Sequence, residues 1–380
     1  MMTLSLPKSR ILLPLMVALL LCNFADDAAA QKNGKGGGKN PPTPTQTVFY
    51  QSSQAVRAVD EFGGGDTLVG DITLVNAVPS AQVYGANPKL DRWWLTADTT
   101  PANTVEVYAI HPGRGLRIAV TDFTTDGRTM FRSPPYWDTG SHLRWSNDGV
   151  DSFFSFVTFD TTTGNGRTIH RINLSMLALE VMFGNNWTPL RLGNPAVETA
   201  WADGPGAPED PGFIQIVGND YCWSPNGQSM VAKTRETINL TDGIWAIQRH
   251  DLPTNLLSPL AFYTFGPGGG LRWAPNAGPG AGQILYRGIG LEKVAGDGQS
   301  GPEVVLDTSG KQNYLRPAWS PNGDRFAITS IKQSGGPFSG QTTSEIAIST
   351  LTGQTTTIVP PGEVAIRAIA WEANLLAPGY

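Results

Sequence analysis

The sequence predicts an all-β protein, a six-bladed β-propeller with four-stranded blades in which N-terminal strands complete the C-terminal blade. Three observations carry that expectation. A strand–turn–strand unit recurs with a tryptophan at a fixed place. Several short strands fit between one recurrence and the next. The last recurrence has few residues after it, while unassigned strands stand near the start of the chain.

The unit is clearest in PAWSPNGDRFAITS, residues 317 to 330. Ser320 and Pro321 suit the first two places of a type I turn, with Asn322 third and Gly323 fourth. Beyond the turn Phe326, Ile328 and Ser330 alternate with Arg325, Ala327 and Thr329, the period of a half-buried strand. A lone hairpin is marginal in water, so the unit needs company. It recurs as YCWSPNGQSMVA at 221 to 232, LRWSNDGVDSFFSF at 143 to 156, LRWAPNAGPGAGQILY at 271 to 286 and, eroded, AIAWEAN at 368 to 374. With RWWLTAD at 92 to 98 there are six units, anchored by Trp94, Trp145, Trp223, Trp273, Trp319 and Trp371. Their spacings are 51, 78, 50, 46 and 52 residues, and a period near fifty with several strands per unit points to a propeller or solenoid.

Within a unit the strands follow in order. After residues 317 to 330 come SEIAIST and TTTIVPP; after CWSPNGQSMVAK come GIWAIQRH and LAFYTF; LRWAPN is followed by QILYRG, LEKVAG and PEVVLD. The 78-residue interval holds SFFSFVTF and TIHRINLS, and its stretch 193 to 212, rich in Pro, Gly and Ala, is expected to be an inserted surface loop. Two short blades in that interval are the alternative. The final unit, AIRAIAWEAN, lies close to the C-terminus, and TVFYQSS at 47 to 53, DITLVNA at 71 to 77 and AQVYGA at 81 to 86 are expected to supply its missing strands. Such a join covers exposed strand edges and latches the ring.

The Trp-Ser-Pro-Asn-Gly unit followed by an alternating strand resembles the WD-like repeat of the TolB-like six-bladed β-propellers, over residues 47 to 380. That family has Asp where Asn226 and Asn322 stand, and Asn147-Asp148 and Asn276-Ala277 depart further. Asn fills the same turn position, so the resemblance implies the fold, while a ligand role for a ring of Asp does not carry over. A propeller hosts many functions, so function has to be sought in a site.

Residues 1 to 30 have the form of a signal peptide: Lys8 and Arg10, the apolar run ILLPLMVALLL, then Ala28-Ala29-Ala30 before Gln31. Cys22 offers a lipoprotein alternative, although Leu21 before it does not resemble the small residue of a lipobox. Residues 31 to 46, QKNGKGGGKNPPTPTQ, form a flexible linker. The resemblance places the protein in a bacterial periplasm or outside the cell. Cys222 is then the single cysteine of the mature chain, expected as a buried thiol.

The whole chain carries 27 basic and 32 acidic residues, a net charge of -5, and residues 47 to 380 carry 22 and 30. An acidic surface does not favour nucleic acid. No Gly-x-Ser-x-Gly elbow, His-Glu-x-x-His or zinc-spaced Cys pair is present, and GPGGG at 266 to 270 lacks the Lys of a phosphate loop. No catalytic residue, metal ligand or cofactor is assigned. His111, His142, His170 and His250 are scattered, and GDGQSG and DTTTGNG read as turns rather than calcium loops.

One set has chemical promise. Arg144 and Arg272 lie one residue before their tryptophans and Arg316 lies three before, so alternation places them on a common face, shared by His142 and Asp220. If these strands are innermost, that face lines the central channel and offers arginine forks to a carboxylate. The alternative is that each Arg pairs with the adjacent blade and staples the ring. The expected function is an exported, monomeric, non-catalytic propeller that binds a protein or peptide partner in the cell envelope, with an anionic ligand in the channel as a further possibility. A polysaccharide lyase or hydrolase working in the channel is the alternative.

Overall fold

The computed structural model describes residues 46–52, 55–71, 82–86, 94–99, 105–111, 116–130, 143–147, 152–163, 166–173, 188–206, 208–239, 242–263, 270–307, 312–334, 341–362 and 366–373. Met1–Thr43 and Pro44–Tyr380 are separate units, and every described residue belongs to the second.

The turn that opens each hairpin forms as its residues dictate. Gly323 N donates to Ser320 O at 2.9 Å and Gly227 N to Ser224 O at 2.9 Å. Both glycines take positive φ, 62° and 66°, where a side chain is strained. The serine hydroxyls add a local clamp, Ser224 Oγ accepting from Ser229 N at 2.9 Å and Ser320 Oγ from Arg325 N at 3.2 Å. Two strands leave each turn already in register.

The described strands form six antiparallel sheets. The first runs Ile366–Ala373, Gln46–Ser52, Ala55–Asp60, Thr67–Asp71, so the N-terminal strand pairs with the C-terminal one from Gln46 opposite Ala373 to Ser52 opposite Ile366. The second is Gln82–Ala86, Trp94–Thr99, Val105–His111, Leu116–Ala119. The third has five strands: Val197–Ala202, Thr168–Asn173 and Ser152–Asp160, then Arg128–Met130 and Leu143–Asn147, which share the far edge of Ser152–Asp160 end to end. The fourth is Ile214–Trp223, Ser229–Thr237, Gly243–Asp251, Leu256–Tyr263; the fifth Arg272–Trp273, Gln283–Arg287, Leu291–Ala295, Glu303–Leu306; the sixth Gln312–Trp319, Arg325–Ser334, Gln341–Thr350, Thr355–Gly362.

Three expectations need correction. Residues 82 to 86 open the second sheet and do not complete the first; the first sheet is filled by Ala55–Asp60 and Thr67–Asp71, and residues 72 to 77 lie outside the described residues. Trp94 therefore sits on a second strand, whereas Trp145, Trp223, Trp273, Trp319 and Trp371 sit on the first strands of their sheets. The reason is that 82 to 86 carries no Trp-Ser-Pro-Asn-Gly turn to mark it. Last, the stretch 193 to 212 is not all loop: Val197–Ala202 hydrogen-bonds to Thr168–Asn173, and Ala200 and Trp201 are buried. Its flanking Pro and Gly residues mask a short strand whose only apolar anchor is that pair.

Cores form between sheets. Val157, Ile169 and Trp201 of the third meet Ile216, Tyr221, Trp223 and Met230 of the fourth. Val231, Ile247 and Leu260 of the fourth meet Ile284, Tyr286 and Val294 of the fifth. Leu285, Leu291 and Leu306 of the fifth meet Trp319, Phe326 and Ile328 of the sixth. Ala327, Ile346 and Ile348 of the sixth meet Val48, Tyr50 and Val59 of the first. Phe123, just after the second sheet, packs its ring on Phe156 and His170 of the third at 5.2 and 5.7 Å. Second strands such as Ser229–Thr237 and Gln283–Arg287 thus bury one face against the preceding sheet and the other against the following one, the main source of stability in such an array.

Candidate functional site

The first strands come within 8 Å, Cα to Cα, of each other in a fixed succession: Leu143–Asn147, Ile214–Trp223, Arg272–Trp273, Gln312–Trp319, Ile366–Ala373, Gln82–Ala86, and back to Leu143–Asn147. Four of these six carry the predicted channel residues. Arg144 lies opposite Ser155, and Arg272 opposite Leu285. Arg316 falls where the register slips between Leu315 and Ala318, and Asp220 where it slips between Ile216 and Tyr221. The side chains of Arg144, Arg316 and Asp220, and all of His142, lie outside the described residues.

Arg272 is half-buried, and its Nη1 donates to the carbonyl of Leu271 at 2.8 Å. Residues directly opposite in an antiparallel pair share a face, so Arg272 starts on the face of Leu285, which packs on the sixth sheet.

Ionisable groups are also buried between and within sheets. Glu292 is 4% exposed; its Oε2 accepts from Tyr286 Oη at 2.7 Å and Tyr263 Oη at 3.3 Å, and its Oε1 from Ile289 N at 2.9 Å. Burial drives both phenols well above their ordinary range, so they remain donors. Asp203 joins the third sheet to the fourth, accepting from Arg167 N at 2.8 Å and Ile216 N at 2.7 Å, and burial pushes its carboxyl up. Arg128 gives Nε to Thr158 Oγ1 at 2.9 Å and Nη2 to Thr168 Oγ1 at 3.1 Å, with its pKa lowered by burial. His170 shares a hydrogen bond with Thr158 Oγ1 at 2.9 Å, and burial, then the Arg128 charge, push its pKa down to about 4. His250 bonds Asn255 at 2.8 Å beside the Trp201 ring.

The sequence reading missed the buried acids. Glu292 keeps strict alternation, opposite Tyr286 and on the face of Val294 that meets the fourth sheet, while the extra residue of the register slip at Leu291 lies on the partner strand, at Val305. The signal available was weak: an acid beside Lys293 in the short strand LEKVA. Asp160 and Asp297 cap their own turns, accepting from Thr162 N and Gln299 N at 2.9 Å each. Among the described residues, no three His, Cys, Asp or Glu side chains are grouped to hold a metal ion, and no helix is long and apolar enough to cross a membrane. Cys222 is buried at 4% exposure.

No family model matches the sequence, and no curated protein matches it. Solved structures do. TolB from Acinetobacter baumannii is similar at 12% identity and TM-score 0.47, over 87% of this chain and 66% of that one. A putative TolB from Agrobacterium tumefaciens matches at 12% identity and TM-score 0.45, over 86% and 99%. An oligogalacturonate lyase from Vibrio parahaemolyticus matches at 10% identity and TM-score 0.42, over 83% and 72%.

Proposed function

We propose that the chain is an exported six-bladed β-propeller that binds a protein or peptide partner in a bacterial cell envelope, using the mouth of its axis. Residues 1 to 30 serve as signal peptide, 31 to 46 as tether and 47 to 380 as propeller. The observation that supports this most is the succession of first strands that returns to its start. In that arrangement the strands bearing Arg144, Asp220, Arg272 and Arg316, with His142 adjoining, stand nearest the axis. An acidic protein with arginines at its axis focuses positive potential there, which suits a carboxylate side chain or a free C-terminus.

The test uses the mature protein. Fluorescence anisotropy of labelled acidic peptides is compared between the parent and an Arg144→Gln, Arg272→Gln double variant, with thermal melts beside it. Retained melting temperature with at least tenfold weaker peptide binding supports the axial site. Lost stability, with no peptide bound by the parent, makes the arginines staples and ends this reading. Intact-mass analysis of the exported form is expected to show Gln31 at the new terminus; acyl chains on Cys22 would overturn the soluble location.

A further inference from the structure

Three tryptophans end the first strands of the fourth, fifth and sixth sheets, and they do not all behave alike. Trp223 Nε1 donates to Ser155 Oγ at 2.6 Å and Trp319 Nε1 to the carbonyl of Arg272 at 3.2 Å, each reaching the preceding sheet. Trp273, at the same place in the fifth sheet, makes no such bond among the described residues. Its half-buried indole lines a cleft of about 290 Å³ between the fourth and fifth sheets, at the end where the hairpin turns lie. Gly296 lets the backbone lie against the ring, since a Cβ there would stand 2.5 Å from Trp273 Cζ2.

The rest of the wall mixes polar side chains with Pro225, Ala281, Gly282 and Ala295, and part of its polar capacity is uncommitted among the described residues. Asn226 commits its Oδ1 to Ser224 Oγ at 2.7 Å and Gln228 N at 3.1 Å, which leaves its NH₂. Asn276 and Gln283 line the cleft, and their side chains make no hydrogen bond among the described residues. Asp297 caps its turn through Oδ1 and keeps its other oxygen. The Arg249 guanidinium is held in the wall by Gly296 O at 3.1 Å, Ser229 Oγ at 3.1 Å and Asp251 Oδ2 at 3.2 Å. With Arg249 already paired to Asp251, the carboxylate of Asp297 tilts the cleft away from anions.

What remains is a concave site with planar amide donors and acceptors, a carboxylate oxygen and one aromatic ring. Vicinal hydroxyls are donor and acceptor at once, and the C–H face of a pyranose is an apolar surface for an indole. We propose that this cleft binds a neutral sugar ring, separately from the axial surface.

Ligand-observed saturation-transfer NMR of the mature protein, titrated with glucose, galactose, N-acetylglucosamine and their methyl glycosides, tests it, with galacturonate as anionic comparator. The expected result is saturable binding of a neutral pyranose, little of galacturonate, and about fivefold weakening in Trp273→Phe and in Gln283→Ala at unchanged melting temperature. Binding of the methyl glycosides would mark the end of a glycan chain as the ligand, and free sugar alone would mark a monosaccharide. The Arg144→Gln, Arg272→Gln variant retains sugar binding. Absence of saturation transfer from every pyranose, or binding indifferent to both cleft variants, overturns the assignment.

Discussion

Arg325 and Glu61 pair across 264 residues of sequence, Nη2 donating to Oε2, with the Glu61 carboxylate only 8% exposed. The pair fastens the sixth sheet to the turn that leads out of the second strand of the first sheet. Asp324 stands beside it, 3.4 Å from Arg325 Nε.

Glu61→Gln is expected to lower stability by about 2 kcal/mol, the scale of a charged hydrogen bond with a partner left behind. Urea unfolding of Glu61→Gln, Arg325→Gln and the double variant would check it. Additive losses would show that the two side chains do not act as a pair.

Deleting residues 368 to 380 removes most of the strand that pairs with Gln46–Ser52. That exposes Val48 and Tyr50, which are 0% and 2% exposed and belong to the core shared with the sixth sheet. Thermal unfolding is expected to lose both midpoint and cooperativity. An unchanged transition would refute the closing role of this pairing.

Gly323 separates two glycine effects. Its φ is 62°, and a Cβ would stand 2.1 Å from Ala277 O in the loop of the fifth sheet, which also bonds this turn through Gly280 N to Gly323 O at 2.8 Å. Gly127 has φ of 72° with nothing within 4 Å. Gly127→Ala is expected to cost about 1 kcal/mol from backbone strain alone, and Gly323→Ala at least about twice that. Equal losses in chemical denaturation would contradict the close approach.

His170 makes stability depend on pH. Its pKa is about 4 against an ordinary 6.5, because burial first and Arg128 second disfavour the cation. The neutral ring is the folded form, so its contribution is complete above pH 6.5 and is lost as pH falls toward 4, an effect of about 3 kcal/mol. Stability measured across that window is expected to fall in the parent and to be flatter in His170→Gln. Parallel profiles would assign the acid sensitivity elsewhere.

The sequence by itself determined the hairpins. Ser-Pro-Asn-Gly carries its turn in the backbone preferences of four adjacent residues, and the alternation after it assigns strand faces without reference to anything distant. The same locality explains what was illegible. Whether Gln82–Ala86 joins the strand of Trp371 or begins its own sheet is a choice between partners, which its own residues do not encode. Val197–Ala202 becomes a strand because Thr168–Asn173 offers it an edge. Packing decides the rest: Glu292 follows strict alternation opposite Tyr286, and only the approach of Tyr263 from the fourth sheet places its carboxylate under two tyrosines. Trp223, Trp273 and Trp319 occupy one position in three repeats, yet only the packing of the neighbouring sheet determines that two indoles bond across and the third faces a cleft.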